Sequence, residues 1–281
     1  MFRDQIDLNQ YLYHYTSYTT FLEKILPTQQ LRLSSFRNTN DPREKKDWGF
    51  VWSLADEDNI DNEEYNQKCF INTDKFHSVL KDKCKIICFA RDNPDLDCNQ
   101  IFLDSKRGFS HSRMWAQYAG NHTGVCLMFD KHKLMKVFEK GLTKKGDVYH
   151  GIVNYGTENE RIMRALHVSY DELLEKGISS LASEHLKEYL NELFFEKDLD
   201  WREEWEYRWL LFSNEANDYE FINYEDALEG IYLGLDFPMV YFPLIENYCR
   251  KHDVSLHQML WQNHFFVRTW YVKEKKITDF L

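Results

Sequence analysis

An α+β fold is the class that three features of this 281-residue sequence predict. Strand-like and helical segments mix without strict βαβ alternation, which argues against a parallel α/β sheet. Short runs rich in β-branched and aromatic residues recur along the chain. One long stretch, about 158–200, changes to helical spacing and reads as an insertion between strands. The expected organisation is a single domain over 1–281, with a sheet core, flanking helices and that insertion.

Taken in order, residues 11–16 form a β-prone run containing Tyr13, His14, Tyr15 and Thr16. Residues 19–26 have helical spacing through Phe21, Leu22, Ile25 and Leu26, and Pro27 is expected to stop them. Residues 31–36 alternate like a second strand, and Asn38 to Pro42 carry strong turn chemistry. Residues 48–80 are acidic and mostly helical in pattern. Residues 85–90 make a continuous apolar strand, 112–119 a short helix, and 120–124 a turn. A buried strand follows at 125–130, a helix at 133–139 and a strand at 148–155. Leu173, Leu181, Leu186, Leu190 and Phe194 mark the helical insertion. The chain closes with a strand at 230–234, an amphipathic helix at 239–251 and a last strand at 265–272.

Composition narrows the function classes. Only 11 glycines and 5 prolines against 43% hydrophobic residues exclude a linker-rich or disordered chain. No apolar run approaches the roughly 18 residues that span a bilayer. The opening Met1-Phe2-Arg3-Asp4-Gln5 lacks a signal core, and the six cysteines lack paired metal spacing. Cys88 and Cys126 sit in apolar runs like buried small residues. A reducing cytoplasm is the expected location. A net charge of −11 opposes broad non-specific nucleic-acid binding, although Arg32, Arg37, Arg43, Lys45 and Lys46 cluster in one segment. There is no phosphate loop, dinucleotide fingerprint, HExxH or nucleophile elbow.

The stretch 201–212 is the chemical anchor. Its second half reads as a strand, on which Glu204, Glu206 and Arg208 would share one face and Trp205, Tyr207 and Trp209 the other. Two carboxylates and a guanidinium there imply either an exposed face with a local ion pair or a carboxylate held at a cleft.

These residues, with others, resemble a family. Tyr13-His14-Tyr15-Thr16-Ser17, Asn40-Asp41-Pro42, Cys88-Phe89, Met114-Trp115-Ala116-Gln117-Tyr118-Ala119 with His122, Gly124 and Val125, Glu204-Trp205-Glu206-Tyr207-Arg208 and Ile231-Tyr232-Leu233-Gly234 follow the order of the bacterial domain of unknown function 2971 family. The resemblance runs from about 11 to 271 and skips the acidic segment and the helical insertion. More remotely, the layout is similar to the ADP-ribosyltransferase superfamily of the His-Tyr-Glu type, whose core is a split mixed or antiparallel sheet. His14-Tyr15-Thr16 is similar to the His-Phe-Thr opening of the DNA-modifying DarT toxins.

That second resemblance implies NAD+ as substrate and no metal. It places His14 at an adenosine ribose hydroxyl, Tyr118 (with Tyr15) around the nicotinamide, and Glu206 at the nicotinamide ribose. Glu204 matches the Glu-x-Glu form of the arginine-specific branch and would orient or deprotonate the acceptor. Arg208 or Arg32 would meet the pyrophosphate, with Ser34, Asn40 and Asp41 at the cofactor mouth. Thr16 and Trp115 complete the cofactor-binding candidates. The plain alternatives are a satisfied core histidine at 14, core packing by Tyr118 and Trp115, and an Arg208 that merely neutralises Glu206.

The implied activity is ADP-ribosyl transfer by a toxin-type effector of bacterial toxin–antitoxin or anti-phage defence. Nucleic acid, RNA or DNA, is favoured over protein as the acceptor, with an antitoxin as a further partner to look for and no membrane association. The competing readings are a metal-dependent nuclease using Asp41, Glu204 and Glu206, an NAD+ hydrolase, and a non-enzymatic defence interaction module.

Overall fold

The structure, a computed structural model, describes residues 9–54, 62–93, 107–156, 159–213, 215, 218–262 and 265–270. Its fourteen described strands are β1 (Tyr11–Thr16), β2 (Gln30–Ser35), β3 (Val51–Ser53), β4 (Cys84–Ala90), β5 (Val125–Asp130), β6 (Gly146–Ile152), β7 (Asn154–Tyr155), β8 (His167–Ser169), β9 (Glu196–Lys197), β10 (Glu206–Ser213), β11 (Tyr219–Asn223), β12 (Leu228–Leu233), β13 (Ser255–Gln262) and β14 (Phe265–Trp270). Ten of them build one open mixed sheet flanked by helices, which is the α+β class. Every ladder in it is antiparallel except β12 with β13.

The sheet forks at β4. Along one edge β10 pairs with β4 over its whole length, from Glu206 opposite Ala90 to Phe212 opposite Cys84, and β6 lies outside β10. The other edge of β4 serves two strands. β2 pairs only at Ser34–Ile86 and Ser35–Lys85, and β1 only at Tyr13–Ala90. β11 extends the β2 arm, whereas β5, β12, β13 and β14 extend the β1 arm. The two arms therefore diverge across Ile87, Cys88 and Phe89, and a cleft opens between them.

Packing explains why the arms stay apart. One face of the sheet carries a continuous core of Leu31, Leu33, Phe89, Leu127, Phe138, Trp209 and Leu211 under the helix Lys131–Leu142. The Asp130 carboxylate caps that helix by accepting from the Lys133 amide at 2.9 Å. The opposite face carries two separate cores. One gathers Phe36, Phe50, Trp52, Phe76, Phe194 and Phe212 beside the β2 end, and the other gathers Tyr13, Tyr15, Phe109, Trp115 and Tyr232 beside the β1 end.

Several sequence expectations need correction. The first helical stretch runs without a break from Tyr18 through a π-helical turn at Phe21–Ile25 to Leu26–Thr28, so it ends one residue beyond Pro27 and not before it. The chain leaves at Gln29, in the left-handed region at φ 52°. The 48–80 segment contains β3, and the 158–200 segment contains β8 and β9 among its helices. β3 and β8 pair in parallel, so the two segments join in one layer over β4 and β10. β11 and β13 have no counterpart in the sequence reading. Residues 271–272 of the expected last strand lie outside the described residues. Among the described residues no helix is long and apolar enough to cross a membrane.

Phe194 links the inserted layer to the sheet, with its ring 4.9 Å from Phe36 and 5.2 Å from Phe212. Phe194→Ala is expected to lower stability by about 3–5 kcal/mol. Urea unfolding followed by tryptophan fluorescence and by circular dichroism should shift together. An early separate transition for the inserted layer would contradict its integration into the core.

Candidate active site at the fork of the sheet

The cleft has a volume of about 310 Å³. Its floor is β4 from Ile86 to Ala90. His14 and Tyr15 of β1 form one wall, and Arg32, Ser34 and Ser35 of β2, continued by Asn38, Thr39 and Asn40, form the other. Tyr118 and Met114, from the helix Ser112–Tyr118, overhang it, and Glu44, Lys197, Glu204 and Glu206 close its end.

The turn after Tyr118 fixes where that ring sits. Gly120, Asn121 and His122 take three consecutive left-handed conformations, at φ 55°, 52° and 69°. A Cβ on Gly124 would lie 2.2 Å from the Thr16 carbonyl oxygen, so only glycine lets β5 begin this close to β1.

The two glutamates reach the cleft by a different route from the one expected. Glu204 is not on the strand but ends the 3-10 helix Leu199–Glu204, and β10 starts at Glu206. Trp205 between them is left-handed at φ 43°, a conformation that costs a bulky residue about 1–2 kcal/mol. Its surroundings hold it there. The His111 ring meets the Trp205 ring edge-on at 3.9 Å, and the Trp205 carbonyl accepts from the Arg91 amide at 3.0 Å.

The carboxylates join a buried chain of charges. Tyr118 donates to Glu204 Oε1 at 2.6 Å. Lys197 Nζ lies 2.9 Å from Glu204 Oε2 and 2.7 Å from Glu206 Oε2. Arg208 Nε donates to Glu206 Oε1 at 2.7 Å, and Arg208 Nη1 lies 2.7 Å from Glu44 Oε1. Glu44, Lys197, Glu204, Glu206 and Arg208 are all 5% exposed or less. With every group ionised, three carboxylates face two cations, leaving one net negative charge.

Burial alone would raise the Glu206 pKa, but Arg208 and Lys197 outweigh it and hold the carboxyl below the usual range. For Glu44 burial wins over Arg208 and Lys197, and its carboxyl is pushed up. Burial works against charged Lys197, yet Glu206, Glu44 and Glu204 more than compensate and raise it. Tyr118 is raised by burial and by Glu204, so it is a protonated donor at neutral pH.

On the opposite wall, His14 Nδ1 lies 3.0 Å from the Cys88 carbonyl oxygen. A carbonyl only accepts, so Nδ1 carries the proton and Nε2 is left as an acceptor. Burial lowers the His14 pKa, which favours this neutral form.

Eight of the twelve candidates from the sequence line this one cleft: His14, Tyr15, Arg32, Ser34, Asn40, Tyr118, Glu204 and Glu206. Four do not. Arg208 is fully buried between Glu206 and Glu44 and does not reach the cleft, which corrects the expectation that it meets the pyrophosphate. Trp115 is core: it is fully buried and its indole donates to the Phe109 carbonyl at 2.7 Å. Asp41 is buried and accepts from the Arg43 amide at 2.9 Å, capping the short helix Pro42–Lys45. Thr16 is buried opposite Val125. Tyr15 is mostly committed as well, since its hydroxyl donates to the Gly108 carbonyl at 2.7 Å and its ring packs edge-on to Trp115. Cys88 is half-buried and lines the cleft. Sequence reasoning missed Lys197 and Glu44. Lys197 sits in a two-residue strand and Glu44 in a four-residue helix, too short for any periodicity to single them out.

The model of a family described as "Protein of unknown function (DUF2971)" matches residues 114–209. No curated protein and no solved structure matches the chain. The family resemblance is thereby borne out over the segment that carries Tyr118, Lys197, Glu204, Glu206 and Arg208. The matched span runs through the helical segment that the sequence comparison had skipped, and it does not include His14 or Arg32.

Lys197→Met would leave Glu204 and Glu206 facing each other without their shared cation. The expected cost is about 3–5 kcal/mol at pH 7. The sign with pH follows from the raised Lys197 pKa: its stabilisation is present below the unfolded lysine value and is lost only as pH rises through the folded one. In the variant Glu206 loses one of the two cations that hold its carboxyl down, so the deficit should shrink from pH 8 to pH 5. Urea titrations at the two pH values test this, and a pH-independent deficit would show that the charge bridge is not its source.

Proposed function

We propose that this chain transfers ADP-ribose from NAD+ to a macromolecular acceptor, with nucleic acid favoured over protein. One observation carries the reading. His14, Tyr118 and Glu206, named by resemblance from three distant parts of the sequence, line one cleft at the fork of the sheet. The nuclease alternative has less support, because Asp41 caps a helix and does not line the cleft with Glu204 and Glu206.

The chemistry suits the groups present. Breaking the nicotinamide–ribose bond develops positive charge on the ribose carbon. A carboxylate ionised at all working pH values stabilises that charge more in the transition state than in the ground state. Glu206 is such a group, but Lys197 and Arg208 both bear on it. Lys197 is shared with Glu204, so a small shift of its ammonium toward Glu204 frees Glu206 Oε2 for a ribose hydroxyl. Glu204, holding Tyr118 through its other oxygen, fixes the ring that would face the nicotinamide. His14 Nε2 accepts a ribose hydroxyl proton, and exposed Arg32 replaces Arg208 as the cation for the pyrophosphate. A volume near 310 Å³ is at the lower end of ligand pockets, about 300–1,000 Å³, and suits the nicotinamide-ribose half of the dinucleotide. The setting, a toxin-type effector of toxin–antitoxin or anti-phage defence, belongs to the same proposal and rests on the resemblance to the ADP-ribosyltransferase superfamily, and the cytoplasm is proposed from the cysteine pattern.

Incubation with labelled NAD+, total RNA, DNA and protein, in the presence of EDTA, tests the reading. Label is expected in one acceptor class, with Glu206→Gln slower by about 10²–10³-fold. Tyr118→Phe should retain part of the rate, because the ring remains while its hydrogen bond to Glu204 is lost. Absence of both transfer and NAD+ consumption would sink the proposal.

A further inference from the structure

The β2 wall of the cleft continues onto an open face of the β2–β11 ribbon. Arg32 is paired opposite Phe221, and Ser34 opposite Tyr219, so all four share one face. Leu31, Leu33 and Ile222 point the other way into the core, which fixes the register. Tyr219 is 41% exposed and Phe221 51% exposed, although both are large rings on an edge strand. The Arg32 guanidinium lies over the Tyr219 ring, 4.6 Å from its centroid.

Charge completes the pattern. The chain holds 46 Asp and Glu, yet Gln30, Arg32, Ser34, Tyr219, Phe221 and Asn223 bring one cation and no carboxylate to this face. Glu220 lies on the opposite face, 2.6 Å from Lys145. Two exposed rings, a stacked guanidinium and short hydroxyl and amide side chains on a sheet surface are what unpaired bases and one phosphate need. Arg32 and Ser34 belong to both the cleft and the ribbon, so a strand lying on the ribbon leads into the cleft.

We propose that this face is a nucleobase-stacking platform that binds an unpaired stretch of single-stranded nucleic acid and presents it to the cleft. The proposal names the acceptor class for the transfer reaction and to that extent rests on that reading. The binding itself needs no chemistry, so it is measured without NAD+.

The test is fluorescence anisotropy with labelled oligo(U) and oligo(dT) of about 12 nucleotides, at low salt, against a duplex of equal length. Single strands should bind more tightly than the duplex. The Tyr219→Ala, Phe221→Ala double variant should weaken binding by about tenfold per ring lost. Arg32→Gln should weaken it and reduce the salt slope by about one ion. The double variant changes only exposed rings, so its unfolding midpoint should match the parent. Comparing the two oligonucleotides tells RNA from DNA. Equal binding by parent and double variant, or no binding by the parent, overturns the proposal. So does a double variant that loses NAD+ but keeps the oligonucleotide, which would make the face an adenine subsite. Self-association through the β11 edge, abolished by the same changes, with no oligonucleotide bound, would make it a protein interface. None of these outcomes depends on transferase activity.

Discussion

The chain of charges from Glu44 through Arg208, Glu206 and Lys197 to Glu204 is the constraint on which the site depends. It ties together a loop helix, a two-residue strand, the end of a 3-10 helix and the head of β10. Each of these groups is nearly inaccessible to water, and a buried charge without a partner costs several kcal/mol. Each link therefore makes its neighbours necessary. Arg208 also donates to the Phe194 carbonyl at 2.5 Å, which connects the charges to the aromatic core of the inserted layer. The network ends at a phenol, Tyr118, on the rim of the cleft. Structural support and candidate chemistry are continuous here, and Lys197 is the point where one passes into the other.

The fork in the sheet follows from a related economy. A strand edge with unpaired backbone groups must find partners. At the point where β1 and β2 part, the Cys88 carbonyl is satisfied by the His14 ring. The side chain takes over from the ladder, and the gap becomes a cleft with an imidazole already oriented in it. The two cores on the cleft face, one at each end of β4, flank the opening.

Much of the fold was legible because it rests on local pattern. β1 runs over the expected residues, and β4, β5 and the helix Ser112–Tyr118 lie within a residue of expectation, since apolar runs bounded by turn residues have few alternatives. β13, with His257 and Gln258 inside it, was not, because polar residues buried by neighbouring strands break the alternation that marks a strand. β3 and β8 are three residues each and exist through each other.

The sequence by itself determined the class of fold, the order of its main strands and the residue types available for chemistry. Periodicity and turn signals are local, and those features depend on them. It also brought His14, Tyr118, Glu204 and Glu206 forward, through motif order. Only the tertiary structure decided which polar groups meet. It placed Arg208 in the interior against two glutamates, left Asp41 and Trp115 out of the cleft, and set Lys197 between Glu204 and Glu206. It also separated those glutamates by a left-handed tryptophan that no strand pattern foretells. The reason is physical: a buried ion pair is settled by desolvation and geometry among residues distant in sequence, and neither quantity is written in spacing along the chain.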